Sequence, residues 1–154
     1  MADRTIPKGL EKFFSTPLPK LMQFANTLVY RMSGGRVGGR MGRAPILLLT
    51  VRGRKTGKPQ TVPLLYQQDG TTYAIVASKG GFPKHPIWYL NLQANPDVTV
   101  EVGRQKLALK ARTASDEERE RLWPGLVAMY PDYANYQSWS DRKIPVVLLE
   151  ARTN

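Results

Sequence analysis

The apolar positions change period along the chain. Leu18, Leu21, Met22, Ala25, Leu28, Val29 and Met32 recur three and four residues apart, which predicts a helix with one apolar face. Pro17 and Pro19 suit its start and Gly34-Gly35 its end, so an N-terminal helical arm is expected at about residues 10–33. Residues 34–43 read as a flexible basic loop. The pattern then becomes β-like. Ile46–Val51 is a short apolar run, a buried strand, followed by a basic turn over Arg52–Pro59. Thr61–Tyr66 is a second strand, where Pro63 points to a sheet edge or a bulge. Asp69-Gly70 is a hairpin signal before a third strand, Thr72–Ser78. Lys79–Pro86 is a glycine- and proline-rich loop. Pro86 then takes the favoured first position of a short helix ending near Ala94.

Val98–Val102 and Leu107–Arg112 pair across a turn at Gly103. Ser115-Asp116-Glu117-Glu118 is a capping box that opens a helix to about Tyr130, with Pro124 as a break or kink. Residues 131–143 read as an aromatic, polar loop, and Ile144–Ala151 is the sixth strand. Six short strands, mostly in hairpins, with interspersed helices predict an α+β, mainly β architecture. The expected form is a small barrel or strongly curled sheet dressed with helices, not a Rossmann sheet. The length of 154 residues fits one domain spanning 1–154.

Charge sharpens this outline. The net charge is +11, and residues 1–60 hold 12 Lys and Arg against 2 Asp and Glu. The excess is therefore local, and a local positive field attracts phosphate, polycarboxylate, nucleic acid or an anionic membrane. The chain has no cysteine and one histidine, His85. Thiolate metal sites, iron–sulfur clusters and a cysteine nucleophile are excluded, and no metal site is expected. No apolar stretch is long enough to span a membrane, and the charged N-terminus is not a secretory signal. A cytoplasmic protein is expected.

Four segments can carry chemistry. Arg52-Gly53-Arg54-Lys55-Thr56-Gly57-Lys58-Pro59 packs four cations, two glycines and a threonine between strands. Glycines let backbone approach an anion that the cations neutralise, and a solvated basic turn fits the same residues. It is not a Walker A loop, because the glycine spacing is short and Pro59 follows the lysine. Val76-Ala77-Ser78-Lys79-Gly80-Gly81 ends a strand in exposed amides and a hydroxyl, suited to a flat ligand or to a plain turn. Trp88 and Asn91 share a helical face, suited to a heterocycle or to core packing. His85 fits a capping or packing role. Tyr130, Tyr133, Tyr136 and Trp139 recur every third residue among polar neighbours, an aromatic wall with phenol donors. No Gly-x-Gly-x-x-Gly follows a strand, no Gly-x-Ser-x-Gly occurs, and no strand-borne carboxylate pair suits a glycosidase or a two-metal site. The remaining set binds an anionic, planar cofactor that does the chemistry.

At these segments the chain resembles the deazaflavin (coenzyme F420)-dependent nitroreductase family, over roughly residues 18–152. The likeness is carried by Gly53–Pro59 leading to Pro63-Leu64-Leu65-Tyr66, by His85–Pro96, and by Ile144–Leu149. It implies a six-stranded split β-barrel, like that of flavin-mononucleotide oxidases, with helices around it. It implies coenzyme F420 as cofactor and hydride transfer to a quinone, an activated enone or a nitroaromatic. In such proteins Arg54, Lys55, Thr56, Gly57 and Lys58 would hold the phosphate and polyglutamate tail, with Gln60 and Pro63 beside them. Val76, Ala77, Ser78 and Lys79 would frame the ring, and Ile87, Trp88, Tyr89 and Asn91 would form the groove's other side. Tyr133 would donate a hydrogen bond or proton, Tyr130 and Tyr136 would shape the pocket, and Ser78 would orient the acceptor. Many members carry Arg where Gln60 stands, and a basic residue and threonine where Trp139 and Ser140 stand.

The implied partner is a small-molecule acceptor, including a lipid quinone. The 18–32 helix either covers the barrel or touches the inner face of the membrane peripherally. Alternatives are a deazaflavin carrier without turnover, or a basic nucleic-acid-binding module. No nucleic-acid motif is present, and no nucleic-acid partner is expected.

Overall fold

The structure is a computed structural model that describes residues 18–42 and 44–152. The expected arm before Leu18 lies outside the described residues. The first helix among the described residues, α1 (Leu18–Ser33), follows the apolar period and ends at the glycine pair. Eight strands follow among the described residues: β1 (Arg40–Met41), β2 (Ala44–Arg52), β3 (Pro59–Leu65), β4 (Gln67–Asp69), β5 (Thr72–Val76), β6 (Asp97–Val102), β7 (Gln105–Thr113) and β8 (Val146–Ala151). Helices α2 (Ile87–Ala94), α3 (Asp116–Met129) and α4 (Asp132–Trp139) are the other helices among the described residues, which also hold a 3₁₀ turn at Lys79–Gly81.

The expected strand number of six is corrected to eight. The two additions, β1 and β4, have two and three residues, too short to show a period. The expected loop 131–143 is corrected as well, since Asp132–Trp139 is helical. Pro124 neither breaks nor ends α3. Pro124 and Glu120, whose carbonyl loses its partner, are both exposed, so water can satisfy the freed acceptor. Pro86 caps α2 rather than standing inside it. The capping box forms as expected: Glu118 N–H donates to Ser115 Oγ, and Ser115 N–H donates to the Glu118 carboxylate.

All strand pairs are antiparallel, in the order β1-β2-β6-β7-β8-β5-β4, with β3 also on β2. The sheet curls into a half-barrel around Leu47, Leu49, Val51, Ile75, Val98, Val100, Val147 and Leu149. Alternation sets which side chains enter. On β6, Val98 and Val100 are buried while Asp97 is exposed, as a sheet with one packed face requires. A second cluster, with Val76, Leu122, Leu126, Tyr133, Ile144 and Leu148, seats α3 and α4 on the outside.

β3 is an edge strand. It pairs with β2 alone, and Pro63 lies opposite Leu48 on it, where a missing N–H is tolerated. β3 approaches β5, yet no ladder joins the two among the described residues. The sheet is therefore open between β3 and β5, and the candidate site lies there.

Candidate functional site

The basic turn is built by glycine and threonine. Gly53 N–H donates to Lys58 O at 2.9 Å, and Gly57 N–H to Gly53 O at 2.8 Å. Thr56 Oγ1 accepts from Lys58 N–H at 3.2 Å. Gly57 has φ +71°, which only glycine adopts without strain. Arg54, Lys55 and Lys58 are exposed and form no ion pair among the described residues. Their charge is left uncompensated by the protein, which suits an anion.

Asn91 reaches this turn from α2. Buried at 2% exposure, its Oδ1 accepts from Arg54 N–H and Arg54 Nη1, both at 3.1 Å. Its Nδ2 donates to Gln60 Oε1 at 3.2 Å. Three residues from separate stretches of sequence thus form one cluster at the start of β3.

At the other end of β3 lies a cleft of about 390 Å³ lined by Met41, Pro63, Leu64, Leu65, Val76, Ser78, Gly80, Tyr130, Tyr133 and Tyr136. Tyr130 sits at the end of α3 and Tyr133 and Tyr136 on α4, so one helix turn presents two of the rings. Tyr130 Oη and Tyr136 Oη are 3.1 Å apart. Tyr130 and Tyr133 meet edge to face with centroids 4.9 Å apart. Tyr133 is buried, and its hydroxyl makes no hydrogen bond among the described residues. Burial first, then the neighbouring Tyr136, push its phenol above the ordinary value. Burial and the hydrogen bond with Tyr136 push Tyr130 the same way. Tyr130 and Tyr133 are therefore hydrogen-bond donors at neutral pH, not phenolates.

The cleft floor is a strained turn. Lys79 has φ +45°, the one left-handed non-glycine among the described residues, and Gly80 and Gly81 follow at +61° and +82°. A Cβ on Gly81 would stand 2.8 Å from Tyr136 O, so this turn packs directly on α4.

The structure does not bring every predicted residue to the cleft. Val76 and Ser78 line it, whereas Ala77 faces the core, with its N–H on Pro145 O and its carbonyl on Arg142. Tyr89 also points inward: its hydroxyl lies 2.8 Å from Thr113 Oγ1 and accepts from Gln93. Trp88 packs against the core cluster, while Ile87 is exposed. His85 packs against Tyr89 with the rings tilted and centroids 4.8 Å apart, and its Nδ1 meets Arg142 at 3.2 Å. Burial, then the Arg142 charge, hold it below the usual imidazole value.

Arg142 is the residue the sequence did not single out. Its partners are mostly main-chain carbonyls, which leave no sequence signal. A larger cleft of about 500 Å³, lined by Thr50, Arg52, Pro59, Thr99 and Arg152 among others, adjoins the basic turn. It lacks aromatic walls, and the candidate chemistry lies in the smaller one. Among the described residues no group of three or more His, Cys, Asp or Glu can hold a metal, and no helix is long and apolar enough to cross a membrane.

A family model described as F420H(2)-dependent quinone reductase matches residues 23–151. An F420H(2)-dependent quinone reductase of Mycobacterium tuberculosis is 42% identical over 151 residues, covering 96% of this chain and 99% of that one. A solved structure of an F420-H2 dependent reductase is 50% identical, with a TM-score of 0.65 over 69% of this chain and 94% of that one. Another, described as a domain-swapped dimer, is 40% identical with a TM-score of 0.67, over 88% of this chain and all of that one.

Proposed function

The chain belongs to the F420H(2)-dependent quinone reductase family, and on that premise we propose that it binds coenzyme F420 along β3 and reduces a quinone in the tyrosine-lined cleft. The family is thus that of the quinone reductases, related in function to the nitroreductases that the sequence resembles. The protein is an oxidoreductase that uses coenzyme F420. When bound, the reduced cofactor supplies a hydride to an electrophile, here a quinone, with activated enones and nitroaromatics as further acceptors.

One observation carries the reading: β3 joins the uncompensated cations to the phenols. Pro59 to Leu65 spans about 20 Å at roughly 3.3 Å per residue, with Gln60 at one end and Pro63–Leu65 in the cleft. That geometry suits an elongated ligand with an anionic tail and a planar head. The donor set fits F420, since the tail end offers only cations, amides and hydroxyls. Arg54, Lys55, Thr56 and Lys58 hold the phosphate and tail, and Asn91, itself bonded to Gln60, fixes Arg54. Val76, Ser78 and the strained Lys79 turn frame the ring. Ala77 and Tyr89 act from behind, by packing. The open edge between β3 and β5 is read as the split of a split β-barrel, in one domain.

The phenols do the protein's share of the reduction. Tyr133 keeps its proton and directs it to the acceptor oxygen, where negative charge develops. In the Tyr130–Tyr136 pair one hydroxyl donates to the other, so one hydrogen remains for a ligand. Ser78 orients the acceptor at the floor. The apolar walls exclude water and hold the reactants together.

The acceptor enters from α1. Leu21, Phe24 and Met32 are 65%, 68% and 76% exposed, and Met41 both is exposed and lines the cleft. Residues 18–42 hold Lys20, Arg31, Arg36 and Arg40 and no acid. An apolar face rimmed by cations suits an anionic membrane surface, so the protein sits peripherally on the inner face of the cell membrane and receives a lipid quinone. The test is turnover: reduced F420 and a soluble quinone are mixed anaerobically with the protein, and cofactor oxidation is followed by absorbance. Catalysed oxidation supports the reading. Binding of F420 without oxidation by any quinone, enone or nitro acceptor would make the protein a carrier instead.

A further inference from the structure

Arg142 lies in the segment that leaves the tyrosine helix. Its Nε donates to Phe82 O at 3.0 Å, and its Nη2 to Ala77 O at 3.2 Å and Ser78 O at 2.8 Å. Its Nη1 is 3.2 Å from His85 Nδ1. One guanidinium therefore holds carbonyls on both sides of the Lys79-Gly80-Gly81 turn. It is half-buried and makes no ion pair among the described residues, so its charge is answered by carbonyl dipoles. Lys79, a non-glycine held in the left-handed region, persists there only when its surroundings over-determine it. Here the surroundings are Arg142 on one side and Tyr136, against Gly81, on the other.

We propose that Arg142 is a positioning residue for quinone reduction, a role that rests on the cleft assigned above: it clamps the Ser78–Phe82 turn to the tyrosine helix and thereby fixes Ser78 against Tyr133 and Tyr136. The clamp acts on alignment in the cleft. It leaves the cationic end of β3, held by Asn91, untouched. A lysine retains the charge but cannot span three carbonyls with one planar fork.

The test uses the full chain with Arg142→Lys and Arg142→Gly. Oxidised F420 is titrated by fluorescence, and kcat and KM are measured with a soluble quinone. Exchange of the Gly81 and Phe82 amides is followed without cofactor. These amides donate to Ser78 O and Lys79 O, and the Gly57 amide, bonded to Gly53 O, is the internal control. In Arg142→Lys, kcat is expected to fall about 10- to 100-fold, as misplacement of reacting groups does. The F420 dissociation constant should rise far less than kcat falls, because the turn frames only the ring while the tail is held at the cationic end of β3. Exchange at Gly81 and Phe82 should quicken about tenfold or more with Gly57 unchanged. Methylguanidinium should restore rate to Arg142→Gly in a saturable manner. Unchanged amide protection in either variant would overturn the clamp, whatever the cofactor proves to be. So would an unchanged kcat, or a kcat loss matched by an equal loss of F420 affinity. Failure of the unsubstituted protein to bind F420 would instead overturn the cofactor placement, and the exchange data would still decide the clamp. Should Arg142→Gly not fold, Arg142→Lys decides alone.

Discussion

Replacing Asn91 by leucine separates the cofactor role of the basic turn from its role in folding. The side chains are similar in volume, so packing changes little, but three hydrogen bonds are lost. Arg54 and Gln60 are exposed, and water can take over their side-chain partners. The Arg54 main-chain N–H, bonded to a residue 2% exposed, is the group left stranded. One unpaired, partly buried donor costs about 1–2 kcal/mol. At roughly 2–4 °C per kcal/mol for a chain of this size, the melting temperature should fall by about 2–8 °C. The effect on F420 has another origin. Arg54 loses the acceptor that holds its guanidinium ready, and ordering such a side chain on binding costs about 0.5–1.5 kcal/mol. That is about a 2- to 12-fold rise in the dissociation constant. Asn91→Asp keeps the acceptor and cancels one positive charge, so it should weaken F420 binding with little loss of melting temperature. The assay is fluorescence titration beside thermal melting for the three proteins. A lowered melting temperature in Asn91→Leu with unchanged F420 affinity would refute the reasoning, because Arg54 would then be a folding contact only.

Two further outcomes are expected. Tyr133→Phe removes a hydroxyl at the cleft that makes no bond among the described residues, so the melting temperature should change little while kcat for quinone falls about tenfold or more. Since burial holds this phenol above its ordinary pKa of about 10, ionisation of Tyr133 should cause no loss of rate between pH 6 and pH 9. A full rate in Tyr133→Phe would remove it from the reaction. The Glu118 carboxyl is held at about 2, below its ordinary 4.5, chiefly by its hydrogen bond from Arg112 and then by the Ser115 N–H. A depressed carboxylate stabilises the fold above its unfolded pKa, and that contribution disappears as pH falls from 4.5 toward about 2. Thermal melts over that window should show a steeper decline for the native chain than for Glu118→Gln, and identical slopes would contradict the pairing.

The parts of the fold written in the sequence are those governed by local chemistry. The apolar period of α1, the Asp69-Gly70 turn and the Ser115–Glu118 box each act within a few residues, and each forms in the structure. β1 and β4 escaped because two or three residues carry no alternation, and they exist by pairing with β2 and β5. The tyrosine segment reads as a loop despite its three-residue aromatic period, because the residues between the rings are polar; packing on the second cluster makes it a helix. At the site, residue types at the strand ends were legible, since cations, glycines and phenols announce their chemistry. Directions were not. Ala77 and Tyr89 turn inward through pairing and core contacts, and Arg142 acts on carbonyls some sixty residues away.

The central claim is that one ligand lies along β3 with its anionic tail on the basic turn and its ring at the tyrosine cleft. It is tested most directly by titrating the protein with oxidised F420 beside the same deazaflavin lacking phosphate and glutamates. If the tail is held by Arg54, Lys55 and Lys58, the truncated compound should bind at least about tenfold more weakly, one charge-assisted contact being worth about 1.5–3 kcal/mol. The difference should shrink as salt is raised. Equal affinity for the two compounds would contradict the account, because the basic turn would then contribute nothing to the cofactor site.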